Sequence, residues 1–317
     1  MSLDNKTPSK SPEAYYDGFI QTLMEKRVSN VADLIHEILS KTPPMDISQK
    51  LAHADKLKSW LDSFRPLSGD VVRELKKHYD VKYTFHSNAI EGSTLTQSET
   101  ELVLEKGITI GGKTLVEHLE AVGHKEAIDY VESLAQKNTP IREREVKDIH
   151  HLILKSIDAM DAGRYRMLDV RAAGTGHTYP PFYLVNELME QFFLWLESEE
   201  AKALHPVALA AEVHFRFVAI HPFKDGNGRT ARLLMNLILL RNGYPVAVIS
   251  NANRSQYIDS LIYAQENSDD TSKLLEIILD ATEETFVDYL RVVSTAASSK
   301  GKGSEFYADV DFYLKNK

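Results

Sequence analysis

Residues 233–240 read Leu-Leu-Met-Asn-Leu-Ile-Leu-Leu, and so apolar a run leaves little choice of structure. A helix that is apolar on every face has to be enclosed by other elements, so this run predicts the central helix of a bundle. Helical spacing recurs elsewhere. Val146, Ile149, His150, Ile153, Leu154 and Ile157 fall on one face at steps of three and four, and Leu274, Ile277, Ile278 and Ala281 repeat the pattern. Thr96, with Glu99 three positions on, forms a capping box that opens a further helix through Val103. Strand-like alternation is confined to residues 245–249 and to a Gly- and Pro-containing stretch over 163–181. The expected class is mainly α.

The segment leading into the apolar helix is His221-Pro222-Phe223-Lys224-Asp225-Gly226-Asn227-Gly228-Arg229-Thr230-Ala231-Arg232, and it gathers the parts of a nucleotide-phosphate site. Gly226 and Gly228 permit a tight turn whose N–H groups approach an anion, and the helix that follows aims its N-terminal donors at the same point. Arg229 and Arg232, three apart on a helix, offer two planar forks to phosphate oxygens. Asp225 supplies the oxygen ligand that a hard cation such as Mg²⁺ prefers. His221, biased away from helix by the proline after it, is a candidate general base. A zinc site would draw on His205, His214 and His221, which lack the i, i+4 pairing of helical ligands and have no cysteine to assist; His214 reads instead as a packing or supporting residue.

These twelve residues match the Fic signature, His-Pro-Phe-x-Asp/Glu-Gly-Asn-Gly-Arg-x-x-Arg, at every specified position, so the chain resembles the Fic family. The resemblance implies a Fic-type helical bundle with a short β-hairpin flap and an N-terminal helical extension. It also implies transfer of AMP from ATP, with Mg²⁺, to a Ser, Thr or Tyr hydroxyl of a target protein. Carried onto this sequence, it gives His221 the hydroxyl proton, Phe223 the anchoring of the loop, and Asp225 the metal. Asn227 and the loop amides around Gly226 and Gly228 take the α-phosphate, and Arg229 and Arg232 the β- and γ-phosphates. Positioning and charge stabilisation are most of what such a transfer demands.

Three further stretches resemble the family. Ser87-Asn88-Ala89-Ile90-Glu91-Gly92 fits the Ser/Thr-x-x-x-Glu-Gly/Asn pattern of an inhibitory helix, which implies that Glu91 pairs with Arg232 and prevents productive receipt of the γ-phosphate. Gly163-Arg164-Tyr165-Arg166, then Val170, Arg171, Ala172, Ala173, Gly174, Thr175, Gly176 and His177, then Tyr179-Pro180-Pro181, resembles the flap beside which a target peptide adds as a strand. Read alone, it is a surface loop. Tyr257 and Gln265, following Arg254, match loosely the stretch that lines the nucleobase pocket, while their spacing alone equally describes a core helix.

At 317 residues the chain exceeds the common single-domain range, so a core with an accessory lobe is expected. The expected division is 1–81, an N-terminal helical extension; 82–110, the inhibitory-helix segment; 111–297, the catalytic core with flanking helices; and 298–317, a flexible linker and short C-terminal element. The first ten residues are polar and expected to be unstructured. With 37 basic against 46 acidic side chains, a net charge of −9, general nucleic-acid binding is disfavoured. No run approaches the roughly 20 apolar residues of a membrane span, and the N-terminus lacks a secretory pattern, so a cytoplasmic location is expected. The absence of cysteine excludes disulfides and thiol chemistry. The resemblance implies ATP, a hydroxyl-bearing target protein (including the chain itself) and a possible homodimer as partners. Two other readings stay open: use of another phosphate donor or removal of AMP at the same site, and a non-catalytic nucleotide-sensing regulatory module.

Overall fold

The computed structural model describes residues 10–25, 31–39, 45–137, 140–171 and 178–315. Its α-helices in chain order are α1 (Pro12–Glu25), α2 (Val31–Leu39), α3 (Ile47–Asp62), α4 (Gly69–Ile90), α5 (Gln97–Lys106), α6 (Leu115–Lys137), α7 (Glu143–Leu154), α8 (Val185–Leu196), α9 (Glu199–Ala203), α10 (Pro206–Ile220), α11 (Asn227–Arg241), α12 (Arg254–Glu266), α13 (Ser272–Thr295) and α14 (Ser304–Lys315). Among the described residues the fold is all-α, and no helix is long and apolar enough to cross a membrane. The chain forms two compact units, one of residues 77–282 and one of the residues before and after them.

The apolar run at 233–240 lies within α11, the centre of the larger unit. Every residue of α11 from Arg229 to Leu239 is buried, because α10, α6 and α7 pack around it. Its one polar interruption, Asn236, has a specific partner. The Asn236 side chain accepts from the Ala247 N–H (2.7 Å) and donates to the Ala247 carbonyl (3.1 Å). Residues 245–249 are therefore not the strand that their alternation suggested: an asparagine supplies the hydrogen bonds a neighbouring strand would have given. The apolar face of α7 is Val146, Ile149, His150, Ile153 and Leu154, all buried, and the helix stops there, leaving Ile157 in the following turn. Helices α6 and α7 approach closely at Gly123, where a Cβ would lie 2.7 Å from the Leu152 carbonyl oxygen. The capping box of α5 forms as its sequence indicates, with Thr96 accepting from the Glu99 N–H and Glu99 from the Thr96 N–H.

The smaller unit corrects the expected boundaries. Residues 298–317 were read as a linker and a separate tail, but Phe306 and Tyr307 of α14 are buried against α1 and α3. Phe306 meets Phe19 and Trp60 at ring centroid distances of 5.8 and 5.5 Å, and Trp60 Nε1 donates to Asp309 (2.7 Å). The intervening turn is ordered: Ser299 is buried and the Gly303 N–H donates to the Ser63 carbonyl (2.9 Å). Aromatic burial thus makes the N-terminal extension and the C-terminal helix one core. The boundary expected after residue 81 falls inside α4. Residues 1–9, expected to be unstructured, lie outside the described residues.

Candidate active site

Helix α10 ends at Ile220, and His221 closes it in the left-handed region (φ 51°), its N–H donating to the Phe217 carbonyl (3.0 Å). Such a conformation costs a non-glycine residue about 1 to 3 kcal/mol and persists only where its surroundings fix it. Pro222 turns the chain inward and Phe223 is fully buried, its ring stacked on His150 at 3.6 Å. Asn227 holds the loop shut. Its side chain accepts from the Phe223 N–H and donates to the Phe223 carbonyl, each at 2.9 Å. The Fic resemblance implies Asn227 at the α-phosphate; with both ends of its amide engaged and the residue buried, what it can turn toward an anion is its backbone N–H.

His150 was absorbed into an apolar face by its spacing, yet it braces this loop. Its Nδ1 accepts from the Gly163 N–H (2.9 Å), so the proton is on Nε2, which donates to the Asp225 carbonyl (2.9 Å). Burial holds its pKa down to about 4, and the ring is neutral. The next residue in the loop, Gly226, has φ 73° and would touch that imidazole if it carried a Cβ, at 3.3 Å. Gly226 opens α11 without a side-chain cap, and the Gly226 N–H is taken by the Asp225 carboxylate (2.6 Å). The first-turn amides of α11 that follow, from Asn227, Gly228 and Arg229, are the donors an anion would meet.

Arg229 and Arg232, in the first turns of α11, are buried, and each faces a carboxylate. Arg229 Nη1 donates to Glu120 of α6 (2.8 Å), and its Nη2 lies 3.6 Å from Asp225. Arg232 points to the end of α4: Nε donates to the Ser87 hydroxyl (3.1 Å), Nη2 to the Ser87 carbonyl (2.9 Å) and to Glu91 Oε1 (2.7 Å). Burial opposes the charge on Glu91, but the attraction of Arg232, with Arg229 and Arg254 behind it, outweighs burial and lowers its pKa. The same oxygen lies on the Cα of Gly228, where a Cβ would collide with it. Gly92, with φ 108°, turns the chain away just after Glu91. The end of α4 is tied down at two places, by Arg254 Nε on the Ile90 carbonyl (2.7 Å) and by His86 with Asn251 (2.9 Å).

The His221 imidazole is stacked on the Tyr179 ring at 3.7 Å, and burial carries its pKa down to about 4, opposed first by the Val218 backbone and then by Glu91 and Asp225. It is a neutral acceptor at ordinary pH. Asp225 is the open acid of the loop, its side chain 75% exposed. A single carboxylate beside an anion site suits a hard divalent cation that fills its remaining positions with phosphate oxygens and water. Of the other histidines, His205 caps α10 by accepting from Val207 (3.2 Å), and His214 is buried with its Nε2 hydrogen-bonded to the Tyr257 hydroxyl (2.9 Å). Tyr257, a nucleobase candidate, is itself buried beneath Arg232, whose Nη1 approaches its hydroxyl at 3.4 Å. Gln265 is half-buried, eight residues farther along α12 and more than two turns away. Of the flap candidates, Val170 and Arg171 are described, with Arg171 in an isolated antiparallel bridge to Thr178; Ala172, Ala173, Gly174, Thr175, Gly176 and His177 lie outside the described residues.

The Fic/DOC family matches residues 140–239, which hold α7 through most of α11. A "Protein adenylyltransferase Fic" of Culex quinquefasciatus is 36% identical over 78% of this chain and 48% of its own length, and one of Drosophila grimshawi is 38% identical over 70% and 45%. The chain thus spans about half the length of the curated relatives it matches. Among solved structures, residues 134–508 of Fic-1 from C. elegans superpose with a TM-score of 0.69 at 27% identity, covering 90% of this chain and 88% of that one. A Fic domain containing signaling protein from Bacteroides thetaiotaomicron superposes with a TM-score of 0.66 at 30% identity, over 78% of this chain and 98% of that one. With the signature intact on a buried helix start and a relative matched over nearly its whole length, the chain belongs to the Fic family.

Proposed function

We propose that this chain is an auto-inhibited protein adenylyltransferase that joins the AMP of ATP to a hydroxyl side chain of a target protein and releases pyrophosphate. The observation that carries the reading is the Glu91 carboxylate lying on Gly228 and bonded to Arg232 at 2.7 Å. A side-chain anion stands where a helix start and an arginine are arranged to take a phosphate. The names of the curated relatives support the same chemistry.

In the forward reaction the target hydroxyl gives its proton to His221, whose Nδ1 is buried, leaving Nε2 as the accepting atom. The hydroxyl oxygen bonds to the α-phosphorus as the bond from that phosphorus to the bridging oxygen breaks in line, and pyrophosphate leaves with the electron pair. The first-turn amides of α11 hold the α-phosphate, and Arg229 and Arg232 exchange Glu120 and Glu91 for the β- and γ-phosphates. Asp225 would hold Mg²⁺, which when bound neutralises charge on the phosphate oxygens. While Glu91 occupies Arg232, the γ-phosphate has no receiver and ATP sits unproductively.

Incorporation of AMP from labelled ATP by wild type, Glu91→Gly, and Glu91→Gly with His221→Ala tests this reading. Labelling that appears in Glu91→Gly and vanishes in the double variant supports it; absence of labelling in all three, with folded protein, rejects it. A second reading, removal of AMP from a modified protein, draws on the Glu91 side chain being 38% exposed, so that one edge is free to orient water. There Glu91→Gly abolishes the activity instead of releasing it.

A further inference from the structure

The Gly163-Arg164-Tyr165-Arg166 stretch carries a residue that the proposed chemistry does not use. Arg166 has no exposed side-chain surface, and its nearest carboxylate, Asp169, is 3.8 Å away and largely exposed. Its donors go almost wholly to backbone carbonyls. Nε donates to His221 (2.8 Å), Nη1 to Leu168 (3.0 Å) and Nη2 to Pro180, while its own N–H donates to Pro222 (2.9 Å). A buried guanidinium is costly unless its hydrogen bonds are met; three carbonyls meet them here, and one of these, that of His221, caps the C-terminal end of α10, where the helix dipole favours a cation.

We propose that Arg166 is the positioning residue that fixes His221 for catalysis, clamping its left-handed backbone from one side and setting the Tyr179 ring against its imidazole from the other. The clamp has two jaws. Arg166 grips the consecutive carbonyls of His221 and Pro222 with its side chain and backbone, which holds the φ of 51° that an unsupported histidine would leave. Through the Pro180 carbonyl it also seats the residue next to Tyr179, whose ring stacks on the His221 imidazole at 3.7 Å. Carbonyls at 168, 180 and 221 therefore meet on one planar fork. Lysine cannot replace it, because an ammonium on a single point cannot reach acceptors spread across that plane.

The catalytic consequence rests on the transferase reading, whereas the geometric claim can be tested without turnover. The first experiment compares Arg166→Lys with the parent in full-length protein labelled with ¹³C at histidine Cε1. The His221 resonance is expected to shift and broaden and its contact to the Tyr179 ring to weaken, with His205 and His214 unmoved. The second places Arg166→Lys in the Glu91→Gly background and measures AMP transfer, normalised to sites that bind a non-hydrolysable ATP analogue, so that any unfolded fraction drops out. A misplacement of about 1 Å predicts a kcat loss on the order of 10- to 100-fold, with KM for ATP within about twofold. An unchanged His221 resonance and Tyr179 contact overturn the proposal, as does a defect that falls on KM for ATP with kcat intact. If Glu91→Gly itself transfers nothing, the transferase reading fails and the resonance experiment alone decides the role of Arg166.

Discussion

Replacing Glu91 by glutamine keeps the shape of the side chain and removes its charge, which separates the two ways it can hold the site closed. The bond to be weakened is a charge-assisted one of 2.7 Å on an arginine that is 1% exposed, but Glu91 itself is 38% exposed and solvent screens part of the attraction. A hydrogen bond between charged groups contributes about 1.5 to 3 kcal/mol net, well below the figure for breaking a fully buried pair. At about 1.4 kcal/mol per tenfold, Glu91→Gln is expected to raise the initial rate of AMP incorporation at subsaturating ATP by roughly 10- to 150-fold. Glu91→Gly, which also clears the space over Gly228, should be at least as active. If glutamine stays silent while glycine is active, bulk over Gly228 and not the ion pair is the brake. Wild type as active as both variants would refute the reasoning altogether.

Other outcomes follow from the same contacts. His150→Phe keeps the stack on Phe223 but leaves the Gly163 N–H and the Asp225 carbonyl without their partner, so it should cost about 1 to 3 kcal/mol in denaturant unfolding and slow transfer in the Glu91→Gly background. Arg254→Ala frees the Ile90 carbonyl at the end of α4 and should raise basal labelling about three- to tenfold, less than any change at Glu91, with unfolding midpoint almost unaltered. Burial holds His150 and His221 near pKa 4 and His214 near 3, and it keeps His124 well below the ordinary imidazole value. The unfolded chain binds protons on these rings near pH 6.5 and the native fold does not, so their contribution is complete above that pH and is lost as pH falls toward 4. Thermal scans from pH 7.5 to 4.5 should show the midpoint dropping below pH 6.5, and a flat profile over that window would contradict the burial of neutral imidazoles.

What the sequence made legible is local. The motif from His221 to Arg232 specifies its own turn, because glycine and proline act within a few residues, and the apolar run behind it demands enclosure. Thr96 and Glu99 declared their box for the same reason. The hidden parts join distant positions. Glu120 stands 109 residues from Arg229, and Arg166 stands 55 from His221, with no periodicity linking either pair. His150 left a usable trace: a polar residue among Val146, Ile149, Ile153 and Leu154 is buried only if something meets both its nitrogens. The tail misled because Ser, Gly and Lys around 300 resemble a linker, while the aromatic pair that holds it, Phe306 and Tyr307, follows just after.

On the auto-inhibited reading, the place of Glu91 over Gly228 also bears on how such a chain would lose its restraint through mutation. Any side chain introduced at 228 would displace the carboxylate, yet it would fill the same space from which the carboxylate was driven. On that reading constitutive variants are expected at Glu91, just past α4, or at the contacts of Arg254 and Asn251 that hold the end of α4, and not in the glycine loop. Selection can relax control on one side of the site while the other side stays locked by its own chemistry.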